Sequence, residues 1–412
     1  MSARDEAAAL DARSPLRTRD LFDLPDGVVY LDGNSLGALP RAVPGRVAEL
    51  VGRDWHEGLI RSWNPLPDGA GGWMDLPARC AARIAPLVGV DAADVHVGDS
   101  TSVSLFKTMV AAARMQPGRR TIVLEPGTFP TDGYVAAAVA DLLGLEVRWC
   151  DPADPAAAVD DDTALLTLTH VDFRTGAMFD LAAVTAAAHE HGALVQWDLC
   201  HSAGAVPVDL TAAGADLAVG CTYKYLNGGP GSPAFTWVAP ALQEQLRQPV
   251  TGWMGHAQPF AMARDYEPRA GIGRLASGTP PVLALAALDA ALSVWDGVSM
   301  ADVRAASLSL TDLFLRLVEE RLPGEFEVAT PREHARRGSQ VSLRHPDAYG
   351  VVQALIARGV IGDFREPDIA RFGFTPLYLR HVDVVDAVEH LVAVVEGGEH
   401  RDPAYATRNA VT

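Results

Sequence analysis

A lysine set between two tyrosines, Tyr223-Lys224-Tyr225, is the first place in this chain where covalent chemistry could be done. Only two of the 412 residues are lysine, Lys107 and Lys224, and arginine carries nearly all the other positive charge. A primary amine forms a Schiff base with a carbonyl compound and shifts its pKa readily on burial, and a guanidinium does neither. A surviving lysine can still be an ordinary surface residue. The neighbours favour chemistry: an apolar run before, an aromatic on each side and a glycine-rich loop, N-G-G-P-G, after.

Three further groups could serve the same centre. In G-D-S-T-S-V-S, Thr101 and Ser102 stand where a helix begins, and backbone N–H groups with the helix dipole there favour a phosphate. The plainer alternative is that one of these hydroxyls caps the helix. In P-G-T-F-P-T-D, Phe129 could stack on a planar ring and Asp132 shares its loop, although a loop aromatic can equally be core. In Q-W-D-L-C-H, Asp198 could pair with a protonated ring nitrogen, or simply cap a turn, with His201 three residues on. Together, a phosphate cup, a stacking aromatic, an acidic strand end and an amine are what pyridoxal 5′-phosphate requires.

The elements that must hold these groups alternate strand and helix. Strand-like runs at 95–97, 121–125, 145–149, 164–169, 193–197 and 216–220 are separated by helical stretches near 102–113, 133–143 and 181–191. The pattern predicts an α/β fold with a mostly parallel sheet, all of its strands from 145 to 169 buried, and helices on both faces. The segment 232–239 adds an antiparallel strand. Ligands of such sheets sit at the carboxyl ends of the strands, where all four groups fall. A second, α+β unit begins near residue 289: a helix at 300–321, strands at 325–329 and 340–344, and helices near 348–358 and 383–396. Lys107, on the helix after the phosphate cup, is expected to face solvent.

Composition narrows the function. A net charge of −18 argues against nucleic acid and anionic membrane surfaces, which need basic patches. Four cysteines (Cys80, Cys150, Cys200, Cys221) show neither metal-ligand nor disulfide-framework spacing, so no metal is expected and a cytoplasmic location is. The N-terminus lacks a signal-peptide core and no apolar run is long enough to span a bilayer.

The motifs Y-L-D-G-N-S-L-G (30–37), D-S-T-S-V-S-L-F-K (99–107), F-P-T-D (129–132), T-H-V-D-F-R-T-G (169–176), D-L-C-H (198–201), Y-K-Y-L-N-G-G-P-G (223–231), G-T-P-P (278–281) and R-F-G-F-T-P-L-Y (371–378) carry a resemblance. In them the chain resembles kynureninases of the bacterial type, fold-type-I pyridoxal-phosphate enzymes related to class V aminotransferases. The resemblance implies a seven-stranded-type sheet in a large cofactor-binding domain (50–288), a small C-terminal domain (289–412), and an N-terminal segment (1–49) packing near the active site. It implies a homodimer with shared sites that cleaves L-kynurenine to anthranilate and L-alanine.

Roles follow position by position. Lys224 would hold the cofactor and move the Cα proton; Asp198 would pair with the pyridine nitrogen, and Phe129 would lie over the ring. Thr101, Ser102 and Tyr223 would receive the phosphate, with Trp253 and Thr279 reaching it from the partner subunit. Asp132, Thr169 and His201 would complete the cofactor pocket. Arg371 would take the substrate α-carboxylate in a bidentate pair, with Asn34 also on the substrate. Trp63, Gly278 and Thr279 would line the aryl pocket, a set with few partners for a 3-hydroxyl, which implies weaker use of 3-hydroxykynurenine. Tyr223 is the expected acid–base at the carbonyl carbon. Asp172, where many relatives are expected to carry asparagine, would add a charge near the pocket, and Pro230 and Pro233 would stiffen the loop after Lys224. The alternatives are a cysteine or selenocysteine lyase, which needs a reactive loop cysteine, and a fold relative without catalysis that acts as a binding protein.

Overall fold

The structure is a computed structural model that describes residues 2–67, 69 and 71–408. In chain order its strands begin with β1 (Val29–Tyr30), β2 (Val95–Val97), β3 (Thr121–Leu124), β4 (Glu146–Trp149) and β5 (Thr163–Thr169). They continue with β6 (Leu194–Asp198), β7 (Leu217–Gly220) and β8 (Phe235–Val238). Strands β2 to β8 form one seven-stranded sheet in the order β2-β8-β7-β6-β5-β3-β4, in which only β8 runs antiparallel to its neighbours. Every residue of β3, β5, β6, β7 and β8 is buried. Near-continuous apolar runs of this kind suit strands covered on both faces. The helices Thr101–Met115, Pro130–Leu143 and Leu181–His189 return the chain between them.

One strand departs from expectation. β4 is not buried: Glu146 and Trp149 are exposed and the residues between them half-buried. It is an edge strand with β3 as its sole neighbour, and charged side chains there suit an edge that must not recruit another chain.

The second sheet contains β9 (Glu327–Val328), β10 (Gln340–Arg344), β12 (Asp363–Arg365) and β13 (Ile369–Gly373), ordered β12-β13-β10-β9 and antiparallel throughout. The helix Met300–Arg321 seals it with Phe314, whose ring lies 5.1 Å from Phe372 and 5.3 Å from Phe374. β1 pairs in parallel with β11 (Val360–Ile361), and the Gly373 N–H donates to the Leu31 carbonyl at 2.7 Å. The N-terminal D-G-N-S turn is thereby laid beside β13. The strands of residues 360–373 and the helix Val282–Ala291 lie outside the elements expected from the sequence. Among the described residues no single helix is long and apolar enough to cross a membrane.

Candidate active site

Register places the strand-end groups side by side. Thr169 ends β5 opposite Asp198, which ends β6 opposite Val219 of β7. Lys224 follows β7 in a tight loop closed by Gly228 N–H to Thr222 O (2.8 Å) and Asn227 N–H to Lys224 O (2.9 Å). Tyr225 is buried and anchors the loop by donating to the Ser339 carbonyl at 2.9 Å. The Lys224 amine stands 5.8 Å from the Phe129 ring centre and 5.7 Å from that of Tyr223.

Among the described residues the one hydrogen-bond partner of the Lys224 amine is His201, with Nζ 3.0 Å from Nε2. A chain of contacts fixes the tautomer. Gln340 of β10 donates its amide to the Phe173 carbonyl at 3.0 Å, which turns its Oε1 toward His201 Nδ1 at 3.1 Å. Nδ1 therefore carries the proton and Nε2 accepts from the lysine. Burial, then the charges of Lys224 and Arg371, hold the His201 pKa well below its ordinary value, so the ring is neutral.

Asp198 is buried, with Oδ1 accepting from the Cys200 N–H at 2.7 Å. Burial pushes its carboxyl upward, and Asp132, buried nearby, is pushed well above the ordinary range by burial and then by Asp198. A buried carboxyl in that condition is stabilised as an anion by an arriving N–H cation, which a protonated pyridine supplies. Thr169 Oγ1 pairs with Thr128 Oγ1 at 2.9 Å, beside Phe129. Phe129 is 42% exposed, and its ring meets that of Phe173 nearly at a right angle, centroids 5.2 Å apart.

At the expected phosphate cup the capping role falls to neither Thr101 nor Ser102. Ser100 is the cap, its Oγ accepting from the Val103 N–H at 3.4 Å. Thr101 and Ser102 are left in the first turn, where N–H groups lack an intrahelical acceptor. Thr101 Oγ1 lies 3.9 Å from Cys200 Sγ, on the Asp198 side. These features fit pyridoxal phosphate. The expectation for Lys107 is overturned: it is 2% exposed, and its amine bonds Asp99, Ser277 and the Leu275 carbonyl.

The carboxylate end is more crowded than expected. Arg371 and Asp363 are directly opposed on β13 and β12, and both are buried. Arg371 Nε donates to Asp363 Oδ1 at 2.7 Å, and its Nη2 to Asp363 Oδ2 and to Ser35 Oγ (2.8 Å). Nη1 donates to the Phe173 carbonyl. Four of five guanidinium N–H groups are thus committed, leaving one free rather than the open fork a bidentate carboxylate would need. Arg365 also binds Asp363 and Ser35. Asn34 is fully buried against Gly373, and neither atom of its amide has a partner. Sequence reasoning missed Asp363, Ser35, Arg365 and Asp32 here. Asp32 and Ser35 stood inside D-G-N-S-L-G, and Asp363 with Arg365 in the D-F-R just before the arginine motif.

Other expected residues stand apart. Gly278 and Thr279 are exposed and line a cavity of about 500 Å³ with Val95–Asp99, in which Lys224 has no part. Trp253 is 38% exposed with its ring edge-on to Phe260. Trp63 is half-buried and packs edge-to-face on Trp73 at 5.5 Å; Asp68 and Ala70 of that segment lie outside the described residues. Asp172 turns its carboxylate into its own loop, Oδ1 accepting from the Thr175 N–H (2.6 Å) and hydroxyl. Tyr223, half-buried, has its phenol pKa raised by burial first and then by Cys221, Cys200 and Asp198.

Comparison with known proteins places the chain in a family. The family model described as Kynureninase C-terminal domain matches residues 303–391. Kynureninase of Burkholderia pseudomallei is 52% identical over all of both chains, and kynureninase of Pseudomonas fluorescens 51% identical, again over all of both. Among solved structures, cysteine desulfurase of Thermococcus onnurineus superposes with a TM-score of 0.78 at 17% identity, covering 93% of this chain and 99% of its own. A C-DES variant with glycine covalently linked to its PLP cofactor gives 0.77 at 18% identity, covering 91% and 98%. At such identities these two structures share the fold.

Proposed function

The chain belongs to the kynureninase family, and from that premise we propose that it hydrolyses L-kynurenine between Cβ and Cγ to anthranilate and L-alanine, as a cytoplasmic homodimer carrying pyridoxal 5′-phosphate. The observation that carries the reading is the Lys224 amine, held by a neutral histidine between two aromatic rings. When bound, the cofactor supplies a conjugated electron sink for charge developing on the substrate carbons. Lys224 would hold it, Asp198 would accept from its ring nitrogen, and Phe129 would cover one face. Thr101, Ser102 and Tyr223 would take its phosphate, while Asp132, Thr169 and His201 shape the pocket.

The substrate would enter with its α-carboxylate toward Arg371 and Asn34. With one N–H free, Arg371 contributes a single contact, and the unpartnered Asn34 amide is a second donor. Trp63, Gly278 and Thr279 would border the aryl group. Lys224, with His201 as acceptor, would move the Cα proton. Tyr223, kept a phenol by its raised pKa, would donate and recover a proton at the γ-carbonyl as water adds and the carbon–carbon bond breaks. The exposure of Trp253 and Thr279 supports their service to a partner's site, as does the apolar surface of Trp55, Leu59, Ile60, Phe260 and Met262. A cysteine-lyase reading finds no support, because all four cysteines are buried. The test is release of anthranilate and alanine from L-kynurenine by protein supplied with pyridoxal phosphate; protein that binds the cofactor yet releases neither product refutes the assignment.

A further inference from the structure

Lys107 is a buried cation that the proposed chemistry does not use. An ammonium has three N–H donors, and here all three are taken. They reach Asp99 Oδ2 at 2.5 Å, the Leu275 carbonyl at 2.8 Å and Ser277 Oγ at 2.7 Å. Each partner leads somewhere. Asp99 is the residue immediately before the Ser100 cap, and it holds a left-handed backbone (φ 55°) that aspartate tolerates better than most residues. Ser277 passes its own proton to the Val250 carbonyl, and its carbonyl accepts from the Met254 N–H at 3.1 Å. Gly252 lies so close to Ser277 that a Cβ there would stand 2.3 Å from the Ser277 carbonyl oxygen. One ammonium therefore fixes the start of the cup helix, the segment 250–254 carrying Trp253, and the segment 275–279 carrying Gly278 and Thr279.

We infer that Lys107 is a positioning residue that locks the two segments serving a partner's cofactor, through Trp253 and Thr279, to the phosphate cup of their own subunit. This rests on the proposed function, in which the phosphate is gripped from both subunits. Under it, neutralising Lys107 damages the site of the other subunit. A half-buried carboxylate and two acceptors that lose a cation would shift the paired segments together, since they are joined through Ser277. His96, half-buried, does not replace the charge: desolvation and then Lys107 pull its pKa down to about 4.

The experiment uses mixed dimers in which one subunit alone retains Lys224. The reference pairs a wild-type subunit with a Lys224→Ala subunit; the test pairs wild type with the doubly substituted Lys107→Met, Lys224→Ala subunit. In both, the site that can hold pyridoxal phosphate has its own Lys107, and only the donated segments differ. Visible-absorption titration with pyridoxal phosphate is expected to show about tenfold weaker uptake in the test dimer, the worth of one charge-assisted hydrogen bond. Ser277→Ala in place of Lys107→Met gives the same direction of change and keeps the ammonium paired to Asp99 should the first variant fold poorly. Uptake equal to the reference in both test dimers overturns the inference while leaving the proposed function intact. Wild-type protein that neither dimerises nor takes up pyridoxal phosphate overturns the function itself.

Discussion

Replacing Asp32 by asparagine should remove a pH dependence of substrate binding that the carboxylate end builds in. Asp32 has an unpartnered Oδ1, and burial followed by the Asp363 charge push its carboxyl up to about 7 against the pull of Arg371. Tyr30 and Tyr378, the phenols beside it, are themselves pushed up by burial and stay neutral. At pH 6 Asp32 is protonated, so the guanidiniums of Arg371 and Arg365 face one carboxylate, Asp363, and one positive charge is left for the substrate. At pH 8.5 Asp32 is ionised and that surplus is gone. Ionisation of one group competing with the substrate carboxylate raises KM by at most tenfold per pH unit, and for a group titrating at about 7 by roughly 16-fold between pH 7 and 8.5. The asparagine amide mimics the protonated acid, so the ratio of wild-type KM to Asp32→Asn KM should rise with pH, cancelling titration of the substrate amine. Stability moves in step. A carboxyl raised from 3.8 to about 7 binds a proton in the fold that the unfolded chain lacks between those values. Its contribution is full below 3.8, falls by about 1.4 kcal/mol per pH unit and is lost above 7, at most about 4 kcal/mol in all. Urea unfolding at pH 5 and 8 should therefore show the variant gaining on wild type at the higher pH. A KM ratio that stays constant from pH 6 to 9 would refute the charge argument at Asp32.

Other expectations concern the lysine loop and the aryl pocket. Tyr223→Phe should slow carbon–carbon cleavage by about a hundredfold or more while weakening cofactor uptake far less, the range of one lost acid–base group; unchanged kcat would remove Tyr223 from the chemistry. Gly37 donates its N–H to the Tyr223 carbonyl, and a Cβ there would lie 2.3 Å from the Lys224 carbonyl and 2.6 Å from Asn227 Cα. Gly37→Ala should displace the lysine loop, costing about 1–3 kcal/mol and weakening uptake of pyridoxal phosphate, read by absorption and by thermal melting. The kcat/KM for L-kynurenine should exceed that for 3-hydroxykynurenine, because Trp63 and Gly278 offer few hydrogen-bond partners to the added hydroxyl; the reverse order in a paired assay would refute this reading of the pocket.

The parts of this molecule that sequence made legible are those set by local pattern. Buried strands announce themselves as apolar runs, and a parallel sheet brings Thr169, Asp198 and the loop of Lys224 to one edge whatever the details between them. β4 misled because periodicity reports apolar content and not neighbours, and an edge strand differs from an inner one only in what lies beside it. The two-stranded pairing of β1 with β11 was invisible for the same reason, with more than 300 residues separating the partners.

The same limit explains why the surroundings of two cations were not legible in the sequence. The resemblance gave Arg371 the substrate carboxylate as a bidentate partner, yet the antiparallel register sets Asp363 directly across from it and occupies most of its fork. Lys107, on the helix after the phosphate cup, is expected from the sequence to face solvent, yet Asp99, eight residues earlier, and the carbonyl of Leu275 close over it. In each case burial of a cation is tolerable only because the fold delivers a carboxylate and neutral acceptors to the same point. A chain of net charge −18 has carboxylates to spare, so pairing is cheap for any cation the fold buries. It follows that scarcity of lysine marked two positions with different physics. Lys224 keeps one weak partner, the neutral His201, and so remains available to react, whereas Lys107 has every proton committed and can only hold structure in place.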